Sequence, residues 1–243
     1  MIHSFTYNGV SSEELGLYVG GQFTFNAPQR DVTKVSIPGR NGDLVRDNGR
    51  FLNTQVAYNI VAMRDFAETA RKVRTWLNSA VGYARLEDTY DTDHFRMALV
   101  ASTIDFETSA FNRTGKAQIV FDCKPQRFLK IGEAPKVMRV SDPDGMWICN
   151  PTQFESKPLI YIQAPYGSGE IAVGEQIITL TNIPYSVTID SETMNCYSGN
   201  TNLNAKVNLG SGGFPKLPPG DTNFSIIDGI IAGIEVTGRW WEL

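Results

Sequence analysis

Between Glu87 and His94 the chain gathers Glu87, Asp88, Asp91, Asp93 and His94, four carboxylates and an imidazole in one short run. Such groups can hold a divalent cation or exchange protons with a substrate. The spacing is not that of an EF-hand loop, which needs glycine at its sixth position and glutamate at its twelfth. We read the run as a solvated connection between two strands, with no metal and no cofactor. The only histidines are His3 and His94, so any Ser-His-Asp or Cys-His mechanism must use one of them. His3 stands near the start, where chains are loosely held. No Gly-x-Ser-x-Gly elbow is present to present a nucleophile.

Three further groups have a chemical reading and a plainer one. Gly210-Ser211-Gly212-Gly213 is glycine-rich like a phosphate cradle, but lacks the Lys-Ser/Thr that should follow it, so a flexible loop is expected. Trp240 and Trp241, after Arg239, could stack on a sugar ring and are candidate glycan contacts. Yet Ile234, Val236 and Trp240 fall at positions that turn inward on a final strand, which favours packing and leaves Trp241 on the other face. Arg40, Arg46 and Arg50 surround Asn41-Gly42 with positive charge, either as a solvated loop or as a contact surface.

Cys123, Cys149 and Cys196 are widely spaced, with no Cys-x-x-Cys or histidine spacing for zinc. They read as reduced, mostly buried thiols; Cys149 and Cys196 could pair only if the fold brings them together.

The elements that must position these groups are mainly strands. Gln55-Val56-Ala57-Tyr58-Asn59-Ile60 alternates with period two. Val35-Ser36-Ile37 and Asp43-Leu44-Val45 flank Pro38-Gly39-Arg40-Asn41-Gly42, where Asn-Gly signals a tight turn and so a hairpin. Ala117–Phe121 is a strand that Lys124-Pro125 should stop. One helix is predicted over 65–79. Asp65 and Glu68 have capping-box spacing, Phe66, Ala70, Val73, Trp76 and Leu77 form one apolar stripe, and Gly82 lies just past its end. Gly132, Pro135, Pro143, Gly145, Pro151 and Pro158 make 132–158 read as a linker and lead-in loop. Beyond it, strands are expected at 159–162, 171–173, 176–180, 186–189, 224–227 and 233–236, the pattern of a β-sandwich.

At 243 residues the chain has room for two ordinary domains, divided near 135–145. Its net charge of −4 argues against a surface built to grip nucleic acid. It does not exclude a wall that DNA slides past, since a weakly negative wall would repel DNA and avoid trapping it. No basic-then-apolar start marks a signal peptide, and no stretch is long and apolar enough for a membrane span, so folding in a cytoplasm is expected.

Several segments together resemble the distal tail (Dit) proteins of siphophages. They are Ile37-Pro38-Gly39-Arg40-Asn41-Gly42-Asp43-Leu44 with Gly49-Arg50-Phe51-Leu52-Asn53, Tyr83 through Arg96, and Phe121-Asp122-Cys123-Lys124-Pro125-Gln126-Arg127-Phe128-Leu129. In the second half they are Asn150-Pro151, Ser156 through Ile160, Ile189-Asp190-Ser191-Glu192 with Tyr197, and Phe214 through Gly220 with Asn223. The ordered set, collinear over 35–243, carries the resemblance; no single motif does. It implies a mainly β (α+β) fold: a ring-forming tail-tube-like domain with one flanking helix over 1–138, then a galectin-like β-sandwich over 139–243. It implies a non-enzymatic virion protein, assembled in the host cytoplasm into a homohexameric ring that joins tail tube to tail tip and lets DNA through without specific binding. The implied partners are further copies of itself, the tail tube protein, a tail-tip protein and a receptor-binding protein, with no membrane and no cofactor. Arg40, Asn41, Gly42, Arg46 and Arg50 become candidate subunit contacts. The alternative is a carbohydrate-binding module acting through Trp240 and Trp241. A glycosidase would need two carboxylates facing each other across a cleft, and none stands in such a motif.

Overall fold

In a computed structural model the chain is mainly β with, among the described residues, one α-helix, and it packs as two units, Met1–Arg127 with Leu243, and Phe128–Glu242. The structure describes residues 2–21, 24–62, 66–102, 105, 107–109, 114–142 and 144–243. The expected division lay at 138/139. The observed one falls earlier because Gly132, Met138 and half-buried Leu129 already pack into the second unit's core. Among the described residues no helix is long and apolar enough to cross a membrane.

The first unit is built on one antiparallel sheet, whose strands run in the order Val10–Ser11, Phe5–Tyr7, Ala84–Asp88, His94–Val100, Thr114–Leu129, Thr54–Ala62 and Leu17–Val19. The sheet curls back on itself, since Val19 bridges to His3 just ahead of the strand Phe5–Tyr7. The alternation in Thr54–Ala62 is as expected: Val56, Tyr58, Ile60 and Ala62 are buried, while Gln55, Ala57 and Asn59 face out. These side chains meet Phe5, Tyr7, Leu86, Ile119 and Phe121 in one core. The partner strand does not stop at Lys124-Pro125 but runs to Leu129. Its ladder with Thr54–Ala62 ends at Cys123 opposite Thr54. Pro125 therefore lies beyond that ladder, where a missing N–H removes no bond from it.

The helix α1 spans Phe66–Leu77, slightly shorter than predicted. Its stripe is buried through Ala70, Val73, Trp76 and Leu77. Trp76 stacks on Phe5 at 5.6 Å between ring centroids, and its Nε1–H donates to the Tyr7 carbonyl at 2.9 Å. The helix ends where the Ser79 hydroxyl donates to the Trp76 carbonyl at 2.7 Å. Asp65, the proposed cap, and Pro143 lie outside the described residues, as does the side chain of Phe66.

The second unit is a β-sandwich. One sheet has the order Lys136–Arg139, Gly233–Thr237, Leu159–Gln163, Ser186–Asp190, Asn195–Ser198, Thr201–Asn202. The other has the order Met146–Asn150, Gly220–Gly229, Gly167–Val173, Gln176–Ile183, Val207–Asn208. Ile160, Ile162, Val187, Ile189, Ile234 and Val236 of the first sheet share one core with Ile148, Ile171, Ile178, Leu180 and Phe224 of the second. All six expected strands are present. The segment read as a linker holds two more, Lys136–Arg139 and Met146–Asn150. Each pairs along its length with a longer strand, Gly233–Thr237 or Gly220–Gly229. A neighbour's exposed edge thus makes strands of residues whose flanking glycines and prolines suggest loop.

Candidate functional site

The proposed contact residues Arg40, Asn41, Gly42, Arg46 and Arg50 all fall on one hairpin. Strand Arg30–Val35 pairs antiparallel with Leu44–Phe51, Val35 opposite Leu44 and Thr33 opposite Arg46. The two strands form a sheet of their own. The loop between them turns through Gly39 and Gly42, both with positive φ (80° and 79°), the backbone region that Asn-Gly turns exploit. The hairpin stiffens its base. Arg50 pairs with Asp31 at 2.6 Å, Arg30 pairs with Asp47 and lies 4.7 Å from the Phe51 ring centroid, and Asn48 donates to Asp31 at 3.0 Å. The Arg50 and Asn48 hydrogen bonds hold the Asp31 carboxyl below its ordinary range; the Gly49 N–H and Arg30 do the same for Asp47.

Toward the tip the arrangement changes. Lys34, Arg40 and Arg46 make no side-chain bond among the described residues. Val35, Leu44 and Val45 are 47%, 51% and 57% exposed, and Ile37 is exposed as well. An isolated two-stranded hairpin is marginal in water, and this one spends its apolar side chains on solvent. Sequence reasoning found the turn and its arginines but not this apolar surface. Strand alternation says which residues share a face, not whether anything covers that face.

The acid run behaves differently from the expectation of a solvated loop. It does join two strands, Ala84–Asp88 and His94–Val100. However, Asp88 Oδ1 accepts the N–H groups of Tyr90 and Asp91 at 2.9 and 3.0 Å, and Oδ2 accepts the Tyr58 hydroxyl at 2.5 Å. Asp91 Oδ1 lies 2.7 Å from His94 Nδ1, and its Oδ2 accepts from Arg127 at 3.3 Å. The carboxylates are tied inward because the hydroxyl and guanidinium that meet them come from distant strands. Burial, and next the charge of Arg127, lower the pKa of Arg96 beside them. A paired aspartate and histidine can orient a base. The cavity bounded by Tyr58, Asp88, Asp91, His94, Arg96 and Arg127 is only about 20 Å³, room for a water and not for a substrate. Among the described residues no group of three or more His, Cys, Asp or Glu side chains is placed to hold a metal.

The other candidates are also placed. His3 is not loose: its ring stacks on Tyr90 at 3.8 Å and its Nδ1 lies 3.1 Å from the Thr89 hydroxyl. Gly210–Gly212 is a short 3₁₀ turn rather than a free loop, because the Gln176 amide donates to the carbonyls of Leu209 and Gly213 at 2.7 and 2.6 Å. Trp240 is 7% exposed, inside the second core. Trp241 stacks on Phe154 at 4.4 Å and donates to the Glu155 carbonyl at 3.0 Å. The final strand is broken, not continuous: it ends at Thr237, and Arg239 at φ 52° turns the chain before Trp241–Glu242. All three cysteines are free; Cys149 is exposed while Cys123 and Cys196 are buried. Burial pushes the Cys123 thiol up to about 12 and the Cys196 thiol up to about 11.

No protein-family model matches the chain, and no curated protein matches it. Solved structures do. The protein of phage SPP1 described as "Dit (gp 19.1)", a "Paradigm of Hub Adsorption Apparatus in Gram-positive Infecting Phages", aligns over 100% of both chains with a TM-score of 0.73 at 10% identity. A chain of the phage p2 baseplate in its activated conformation with Sr aligns over 97% of this chain and 96% of its own, at TM-score 0.56 and 10% identity. The Ca-bound form of that baseplate gives 0.53 over 97% of each chain, also at 10% identity. From end to end, this chain has the fold of a siphophage distal tail protein.

Proposed function

We propose that the chain is a non-enzymatic structural subunit of a phage tail tip or baseplate, assembling as a homohexameric ring between tail tube and tip through which DNA passes. The observation that carries this reading is the alignment with a distal tail protein over the full length of both chains. The hairpin Arg30–Phe51 supports it: an arm with a rigid base and exposed Val35, Leu44 and Val45 is suited to contact a neighbouring copy. A closed ring needs a heterologous interface, one patch meeting a different patch on the next copy. An arm received by a separate surface meets that requirement. In this reading Arg40, Asn41, Gly42, Arg46 and Arg50 lie at the subunit contact. The chain's other partners are the tail tube protein, a tail-tip protein and a receptor-binding protein, and it resides in the virion.

The test is mass photometry and negative-stain imaging of the purified chain from nanomolar to tens of micromolar. Rings of six are expected for the unaltered protein, and smaller species for a variant carrying Val35→Glu, Leu44→Glu and Val45→Glu. These side chains are solvent-exposed, so the fold should tolerate the change. A monomer across the whole range, or rings that the triple substitution leaves intact, counts against the reading or against the arm.

A further inference from the structure

Asparagine precedes glycine at Asn8-Gly9, Asn41-Gly42 and Asn48-Gly49. In each pair the glycine has no Cβ to shield its backbone nitrogen, so that nitrogen can attack the preceding side-chain amide. The fold treats the pairs differently. Asn8 and Gly9 make a tight turn, with φ of 50° and 80° and Tyr7 paired with Val10 across it. Positive φ at both residues is the form of a type I′ hairpin turn. The Asn8 N–H also donates to the Arg85 carbonyl at 2.9 Å. Bringing the Gly9 nitrogen onto the Asn8 side chain would twist the peptide between them out of this turn. At Asn48-Gly49 both reacting groups are engaged. The Asn48 amide donates to Asp31 at 3.0 Å and to the Thr33 hydroxyl at 3.2 Å, and the Gly49 N–H donates to Asp47 at 2.8 Å. Asn41 and Gly42 differ from both. They are exposed, and among the described residues no hydrogen bond engages the Asn41 side chain or the Gly42 N–H. The loop from Ser36 to Asp43 lies beyond the last strand pair, Val35 with Leu44. A Cβ built on Gly42 would meet nothing within 4 Å, so the reacting nitrogen stands in open space.

We propose that Asn41 is a site of spontaneous deamidation, selected over Asn8 and Asn48 by the fold. The Gly42 nitrogen bonds to the side-chain carbonyl carbon of Asn41 and gives its proton to solvent, the C–NH₂ bond breaks, and ammonia leaves. Water then opens the resulting succinimide at either carbonyl, leaving aspartate or a β-linked isoaspartate at position 41. Either product places a new negative charge between Arg40 and Asp43. The β-linked product also inserts a methylene into the backbone of the turn. One consequence rests on the reading that this arm contacts a neighbouring copy: assembly then covers Asn41 and stops the reaction. Free chain would be altered at its contact surface as it ages, while assembled copies would not.

The test is to age the full chain in mildly alkaline buffer and follow each pair by peptide mapping, with isoaspartyl methyltransferase labelling of the β-linked product. In dilute folded chain Asn41 should convert about tenfold or more faster than Asn48, whose hydrogen bonds must first break, and faster than Asn8. In urea the three rates should converge, because the structure that separates them is gone. Gly42→Ala should slow conversion at Asn41, since the new Cβ shields the nitrogen. Asp31→Ala combined with Asp47→Ala releases Asn48 and the Gly49 N–H, and should speed Asn48 while leaving Asn41 unchanged. These comparisons need no ring. No conversion at Asn41, or equal rates at the three pairs in the folded chain, would overturn the proposal. Conversion as fast in assembled rings as in dilute chain would leave the site standing and remove the tip of the arm from the subunit contact.

Discussion

Arg239→Met should destabilise the second unit by an amount that depends on pH. Asp190 ends its strand 6% exposed. Its Oδ1 accepts Arg239 Nη1 at 2.6 Å and the N–H groups of Glu192 and Thr193 at 3.0 and 3.4 Å. Burial by itself raises the carboxyl's pKa. The Arg239 hydrogen bond and charge, with those two N–H groups, outweigh it and hold the group below its ordinary value. Removing one partner of a buried pair costs roughly 3–5 kcal/mol, because the other is left charged and unpaired. The Arg239 side chain is 29% exposed and Asp190 keeps its two N–H bonds, so we expect less, about 2–3 kcal/mol at pH 7. A carboxyl with a depressed folded pKa contributes stability that is complete above its unfolded value, about 3.9, and is lost as pH falls through the folded value. The gap between wild type and variant should therefore be full at pH 7 and narrow at pH 3. Urea denaturation followed by tryptophan fluorescence at both pH values measures it. Asp190→Asn, which leaves a guanidinium free to turn to water, should cost only about 1 kcal/mol. An equal gap at both pH values, or a larger loss for Asp190→Asn than for Arg239→Met, would refute the reasoning.

Further expectations concern other sites. Native protein at pH 8 should take up one equivalent of a thiol reagent, at exposed Cys149, and three after denaturation, since burial keeps Cys123 and Cys196 protonated and covered. The hydrogen bond that the Cys149 thiol donates to the Asp221 carboxylate, more than burial, raises the thiol's pKa, so Asp221→Asn should speed its labelling. Tyr58→Phe removes a 2.5 Å bond to the half-buried Asp88 and should cost the first unit about 1–2 kcal/mol, seen as a lower urea midpoint with an unchanged slope.

The hairpin offers a local case of conflict between levels. Its turn chemistry, ion pairs and register agree with one another, yet its apolar residues face water. Natural sequences tolerate such a conflict where a surface is used, which is the use proposed above for this arm.

Composition and periodicity were enough for much of this protein. Alternation in Gln55–Ile60 placed Val56, Tyr58 and Ile60 inside, the stripe of α1 found its buried face, and Asn41-Gly42 located the hairpin. These features are local: a period of two or 3.6 residues, or a turn that needs positive φ, is written in neighbouring residues. Other features were not local. Lys136–Arg139 and Met146–Asn150 became strands because distant strands offered them an edge. Asp88 and Asp91 turned from apparent solvent ligands into tied groups because Tyr58 and Arg127 arrive from elsewhere in the chain. Asn41 and Asn48 each precede a glycine, yet only Asn48 finds partners, because Asp31 and Thr33 reach it from across the hairpin. The sequence determines which face each side chain takes on its own element. Which elements meet, and therefore which polar groups are left without a partner, is decided only when the sheets pair and pack.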